Sequence, residues 1–208
     1  MIRPEPVRWP SPARLVKMAL VMEGAMLPLA AVWGHLRDIP WWTAMHLGPQ
    51  ALLGLPLGVL LLATNATVLH LTHRFGPSGA HLLVDELLVP MVRPLGLVHM
   101  VLISIASGLC EEALFRGVVQ AEVGVLLASL IFGMLHVPER RYLLGGVQSV
   151  FSGAWLGLLY AATGDLALVA VSHAANNLAG MIWLKWGYRP ASLGHPSSRT
   201  HADDHPRP

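Results

Sequence analysis

Six long apolar runs, at 15–33, 47–71, 95–115, 118–137, 142–163 and 166–186, constrain this chain more than any other feature. Each is close to the roughly 20 residues that a helix needs to cross the hydrocarbon core of a bilayer. Hydrophobic residues make up 54% of the 208 and charged residues only 12%, where a soluble domain averages about 25% charged. The expected fold is therefore all-α: a polytopic transmembrane helical bundle of about six spans, with the lipid bilayer as its constant partner. A net charge of +2 without a concentrated basic face excludes nucleic acid as a partner. A single cysteine, Cys110, excludes an intrachain disulfide framework. The first apolar run is too long for a cleavable signal peptide and lacks a convincing cleavage site.

Along the chain, 1–13 reads as a short cytoplasmic lead. Residues 14–94 hold the N-terminal transmembrane helices, with 78–91 as either an interfacial helix or the lead-in to the third span. The helical core 95–186 follows, and 187–208, rich in Pro, Ser, His and Arg, reads as a disordered tail. With both termini in the cytoplasm, all basic residues but Arg37 and Arg116 fall at or inside the inner border, as the positive-inside rule requires. Trp41 and Trp42 then lie at the outer interface and Trp183 and Trp186 at the inner one. The wealth of Ala, Gly, Arg and Pro suggests a GC-rich bacterium, and hence its inner membrane.

Three polar groups interrupt the apolar runs where helices should be buried: Glu111, Glu112 and Arg116; His136, with Phe132 one turn before it; and His173 with Asn177. Each ionisable group at bilayer depth costs about 2.5–3.5 kcal/mol on insertion scales, so the first cluster needs a reason. Residues four apart share a helix face. Glu112 and Arg116 can thus pair, whereas Glu111, turned by about 100°, faces another way. His173 and Asn177 offer two donors one turn apart. Gly108, Ala113, Gly117, Gly133, Ala174, Ala175 and Gly180 are small enough to let helices approach and gather these groups. A carboxylate, two imidazoles and an amide around one wet pocket suit hydrolysis by an activated water. No serine, threonine or lysine nucleophile has an evident partner.

Glu-Glu-x-x-x-Arg, Phe-x-x-x-His and His-x-x-x-Asn, in that order on separate apolar helices, resemble the CAAX prenyl protease and bacteriocin-processing group, the abortive-infection-like glutamic intramembrane endopeptidases. The likeness covers about residues 95–186, which it makes a catalytic core; 14–94 carries no motif of the group. The resemblance implies that Glu111 activates the catalytic water with His136, that His173 and Asn177 form the oxyanion site, and that Glu112 and Arg116 hold the site together. Phe132 is expected to pack and set the orientation of His136. It implies a membrane-tethered peptide as substrate, lipidated or carrying a C-terminal sorting signal, with no cofactor and no metal.

Other readings stand beside this one. A non-catalytic membrane immunity or scaffold protein would keep the bundle without turnover. A zinc site could draw on Glu111, His136 and His173, although no His-Glu-x-x-His helix is present. A proton-relay transporter is disfavoured by the lack of a visible repeat. Cys110, beside Glu111 in sequence, should point away from it. Glu23 is an isolated acid in the first span with no motif around it. Asn65 should bond between helices, Asp165 should cap the last helix, and His70 and His73 should be interfacial. His195, His201 and His205 belong to a solvated tail.

Overall fold

The computed structural model describes residues 10–73 and 79–189. The lead before residue 10, the tail after 189 and the tail histidines lie outside these. Among the described residues every regular element is helical. The long helices are α1 (Pro12–Leu36), α2 (Gly54–His73), α5 (Leu97–Leu114), α6 (Gln120–Leu135), α7 (Leu143–Thr163) and α8 (Leu166–Ile182), with two short helices, α3 (Gly79–Leu83) and α4 (Val89–Val92), between α2 and α5. Five stretches are long and apolar enough to cross a membrane, and one of them, Leu97–Leu135, is 39 residues long.

That stretch does not break where the polar residues suggested, near 116–117. A π-helical turn, Phe115–Val119, carries α5 straight on into the start of α6. The reversal comes instead at Gly124, with φ 77° and ψ 169°, a backbone region essentially reserved for glycine. The chain doubles back there, so one apolar stretch becomes two antiparallel arms. The boundary expected at 116–117 missed this because Gly124 lies inside an apolar run, where nothing in the local sequence marks a reversal.

The surface is apolar, and the interior combines apolar clusters with buried polar groups. Leu126, Met134, Leu36 and Val98 are among the most exposed residues, while Arg116, Glu112, Ser104 and Ser172 are fully buried beside Leu61, Met100 and Leu156. Large apolar side chains on the outside and charged ones inside are unlike a soluble domain. Lipid tails are as apolar as leucine, so helices associate through close packing and polar contacts rather than by hiding leucines. Gly108 shows the packing: a Cβ there would stand 2.6 Å from the Ala170 carbonyl oxygen on α8. The protein is an integral membrane protein.

Val16 of α1, Leu69 of α2, Met100 of α5 and Leu184 just after α8 meet in one cluster. The start of α1 and the end of α8 therefore lie at one end of the bundle. Arg37 and Glu122 mark the other end and pair across 2.7 Å. The segment between α2 and α5 is a separate short helical strap rather than a lead-in to α5: a break at Arg93–Gly96 divides them. Val84, Val89 and Val92 of the strap enter the same end cluster. The Tyr188 hydroxyl donates to Asp85 at 2.8 Å and the Tyr142 hydroxyl to Glu86 at 3.1 Å. Burial and the Asp85 carboxylate push the Tyr188 phenol above its ordinary value, so it stays a donor.

The interface tryptophans divide. Trp42 and Trp186 are exposed, as aromatic belts require. Trp41 instead turns inward, donating to the Ala30 carbonyl at 3.2 Å, and Trp183 stacks edge-on against Tyr188 at 5.1 Å. Asn65 bonds across to Ser152 on α7 at 3.0 Å, and Asp165 caps α8 by accepting from the Ala167 and Leu168 amides. His70 lines a cavity of about 420 Å³ with His81, Trp183 and Tyr188 at the strap end; the His73 side chain is outside the described set.

Candidate active site

The local sequence explains how each polar group is held. Glu111 and Glu112 occupy the last full turn of α5, and the wide turn after them keeps Arg116 on the Glu112 face. The Arg116 guanidinium donates to Glu112 Oε1 at 2.9 Å and to the Gly153 carbonyl of α7 at 2.9 Å. It also lies 4.8 Å over the Phe132 ring. With 2% of its side chain exposed, this cation is matched on three sides. That is the condition under which a buried ion pair is tolerated.

His136 closes α6. The helix ends because Pro138 disfavours a helical Val137, and the last carbonyls of a helix have no intrahelical donor. The His136 ring takes up one of them: Nδ1 stands 2.7 Å from the Phe132 carbonyl oxygen. A carbonyl only accepts, so Nδ1 carries the proton and Nε2 is the free acceptor of the neutral ring. The ring also lies 4.4 Å from the Phe132 ring, tilted by 31°. Phe132 is thus a slab between the His136 imidazole and the Arg116 guanidinium.

The reversal at Gly124 creates the central contact. On a straight helix Glu111 and His136 would be about 37 Å apart. They are instead 3.9 Å apart, Nε2 to Oε2. Glu111 Oε2 is buried and accepts no hydrogen bond from the protein. The other oxygen, Oε1, accepts from Ser107 at 2.8 Å. A water about 2.8 Å from both Oε2 and Nε2 would fit that gap. The His136 side chain is 41% exposed and Glu111 only 6%, so the site opens on the imidazole side.

His173 and Asn177 do face α5 together, but as links rather than as free donors. His173 Nδ1 lies 2.5 Å from Glu112 Oε1, which commits that nitrogen and leaves Nε2 as the atom able to face a substrate. The Asn177 amide donates to Ser107 Oγ at 3.0 Å, and Asn176 donates to Asn177 Oδ1 at 3.1 Å. A second amide hydrogen of Asn177 is left over. All seven expected residues, Glu111, Glu112, Arg116, Phe132, His136, His173 and Asn177, thus form one connected group, and the two glutamates serve different partners.

Ser107 joins Asn177 to Glu111 and was not singled out by sequence. It could have been found at i−4 from Glu111, one turn before it on the same face. The Gly153 carbonyl was missed as well, and no side-chain pattern can announce a backbone acceptor. Glu23, left unassigned by its sequence, has its Oε2 buried without a hydrogen-bond partner, as Glu111 does. Cys110 is a buried free thiol. Among the described residues, no three His, Cys, Asp or Glu side chains are grouped so as to hold a metal ion.

Comparison with known proteins finds that residues 93–179 match the family described as "Type II CAAX prenyl endopeptidase Rce1-like". All seven site residues fall inside that range. The Bacillus subtilis (strain 168) protein named "Uncharacterized protein YpbD" is 37% identical over 75 residues, covering 36% of this chain and 40% of that protein. The chain thus spans well under half the length of that curated relative. No solved structure matches it.

Proposed function

We propose that this chain, whose residues 93–179 match the Rce1-like family, is an intramembrane endopeptidase that cuts a membrane-tethered peptide with a water activated by Glu111 and His136. One observation carries the reading: Glu111 Oε2, buried and without a donor, faces His136 Nε2 across 3.9 Å at the open edge of the site. A carboxylate and a neutral imidazole acceptor so placed can both hold one water, with its oxygen lone pair turned outward. Glu111 takes a proton as that oxygen bonds to the scissile carbonyl carbon. His136, fixed by the Phe132 carbonyl, keeps the water aimed.

The oxygen of the tetrahedral intermediate needs donors where its charge develops. The spare amide hydrogen of Asn177 and the Nε2 end of His173 are one helical turn apart on α8 and suit that task. Glu112 and Arg116 do not touch the reacting atoms in this scheme. Glu112 fixes the His173 ring through Nδ1, and Arg116 neutralises Glu112 and ties α5 to α7. The catalytic core is 95–186, with 14–94 as its supporting helices.

The substrate approaches past His136, the exposed member of the group, and is a peptide held at the membrane by a lipid or by a C-terminal sorting helix. The bundle end that bears Arg14, Lys17, Arg93 and Lys185 faces the cytoplasm of a bacterium, by the positive-inside rule. The test is cleavage of membrane-tethered peptides, with and without a C-terminal prenyl group, by the protein in lipid nanodiscs. Glu111→Ala should lose about 100-fold or more in rate while remaining folded. Undiminished cleavage by that variant would end the reading.

A further inference from the structure

We propose that Glu23 of α1 is the second carboxyl of this centre, sharing one proton with Glu111 and delivering it to the departing amine nitrogen. The proposal rests on the reading of Glu111 as the base. It brings the first half of the chain, which carries no motif of the family, into the chemistry.

The placement follows from packing. α1 runs parallel to α5: Val16 joins the cluster of Met100, and Ala30 that of Ala113, Leu114 and Val118. Position 23 lies midway between these anchors, level with the turn that holds Ser107 and Glu111. Its carboxyl interacts electrostatically with that of Glu111 across the α1–α5 packing and with the His173 ring. Glu23 Oε2 and Glu111 Oε2 are both buried, and neither accepts a hydrogen bond from the protein. Within residues 18–34 of α1, Glu23 is the one ionisable residue.

Donor bookkeeping settles what such a pair requires. Two ionised carboxyl groups offer only acceptors. One proton between them converts a repulsive contact into an O–H···O⁻ bond, a short and strong kind. The polar groups around the pair are Ser107 on α5, which donates to Glu111 Oε1, His136 at the end of α6, and His173 on α8 backed by Glu112 and Arg116. Both His136 Nδ1 and His173 Nδ1 are engaged elsewhere.

The cycle then balances. The pair starts with its proton on Glu23 and Glu111 ionised. Glu111 removes one proton from the water as the water oxygen bonds to the carbonyl carbon, and the carbonyl electron pair moves to oxygen. When that pair returns, the C–N bond breaks and the nitrogen takes the Glu23 proton. The products are a carboxylic acid and an amine, and the proton on Glu111 is again shared with Glu23. His136 orients the water throughout, keeps its Nδ1 proton on the Phe132 carbonyl and takes up no proton at Nε2.

Infrared difference spectra of the full chain in nanodiscs read the shared proton without any need for cleavage. At neutral pH the parent should show the carbonyl stretch of a protonated carboxyl, and both Glu23→Gln and Glu111→Gln should lose it. No such band in the parent, or an undiminished band in Glu23→Gln, overturns the pairing. Cleavage reads the delivery. Glu23→Gln should lower kcat by about 100-fold with KM within about two-fold, and Glu23→Asp should recover part of the loss. Parental kcat in Glu23→Gln overturns the delivery. Parental cleavage in Glu111→Gln while the band behaves as expected would instead remove the base, a failure the spectra distinguish from loss of the pair.

Discussion

Arg116 shows what a single buried charge demands. Its guanidinium is matched by Glu112, the Gly153 carbonyl and the Phe132 face, and removing it leaves Glu112 and His173 to share a net charge without water. Arg116→Ala should therefore lower stability by about 3–5 kcal/mol, read as a drop in thermal midpoint in detergent. A variant as stable as the parent would contradict the ion-pair account. Ser107→Ala tests the other side of the site. It removes two hydrogen bonds, the one donated to the Glu111 carboxylate being worth about 1.5–3 kcal/mol of stability, and it frees both Glu111 Oε1 and Asn177. We expect a modest drop in melting temperature with cleavage reduced about ten-fold; an unchanged rate would make Ser107 a bystander.

At the scale of elements, the reversal at Gly124 decides whether there is a site at all. Any side chain there is strained by about 1–3 kcal/mol, and relaxing the turn would swing α6 and carry His136 away from Glu111. Gly124→Val should accordingly lose far more activity than its modest loss of stability explains, seen by comparing cleavage with thermal unfolding. The sequence made the polar motifs and their helical phases legible: Glu112 does pair with Arg116, Glu111 does face elsewhere, and Asp165 does cap α8. It did not make the turn legible. A glycine in an apolar helix is common, and nothing local separates one at φ 77° from its neighbours. The inward turn of Trp41 was hidden for a similar reason, because one wall of its pocket is Gly117, far away in sequence.

The whole molecule places the start of α1 and the end of α8 at one end and Arg37 with Glu122 at the other. Single cysteines in a Cys110→Ser background test this. Ser11→Cys and Gly187→Cys should react with an impermeant maleimide from the same face of a sealed vesicle, and Asp38→Cys from the opposite face. Labelling of positions 11 and 187 from opposite faces would contradict the bundle. That arrangement matters for function because it sets Glu111 on α5 between α1, α6 and α8, shielded on every side except that of His136. The central claim is that such a shielded carboxylate activates water without a metal. The most direct measurement is cleavage of a membrane-tethered peptide by chelator-treated parent protein beside Glu111→Gln. We expect full cleavage by the treated parent and none by the variant. Activity lost to the chelator and restored by zinc would contradict the account and make Glu111, His136 and His173 ligands instead.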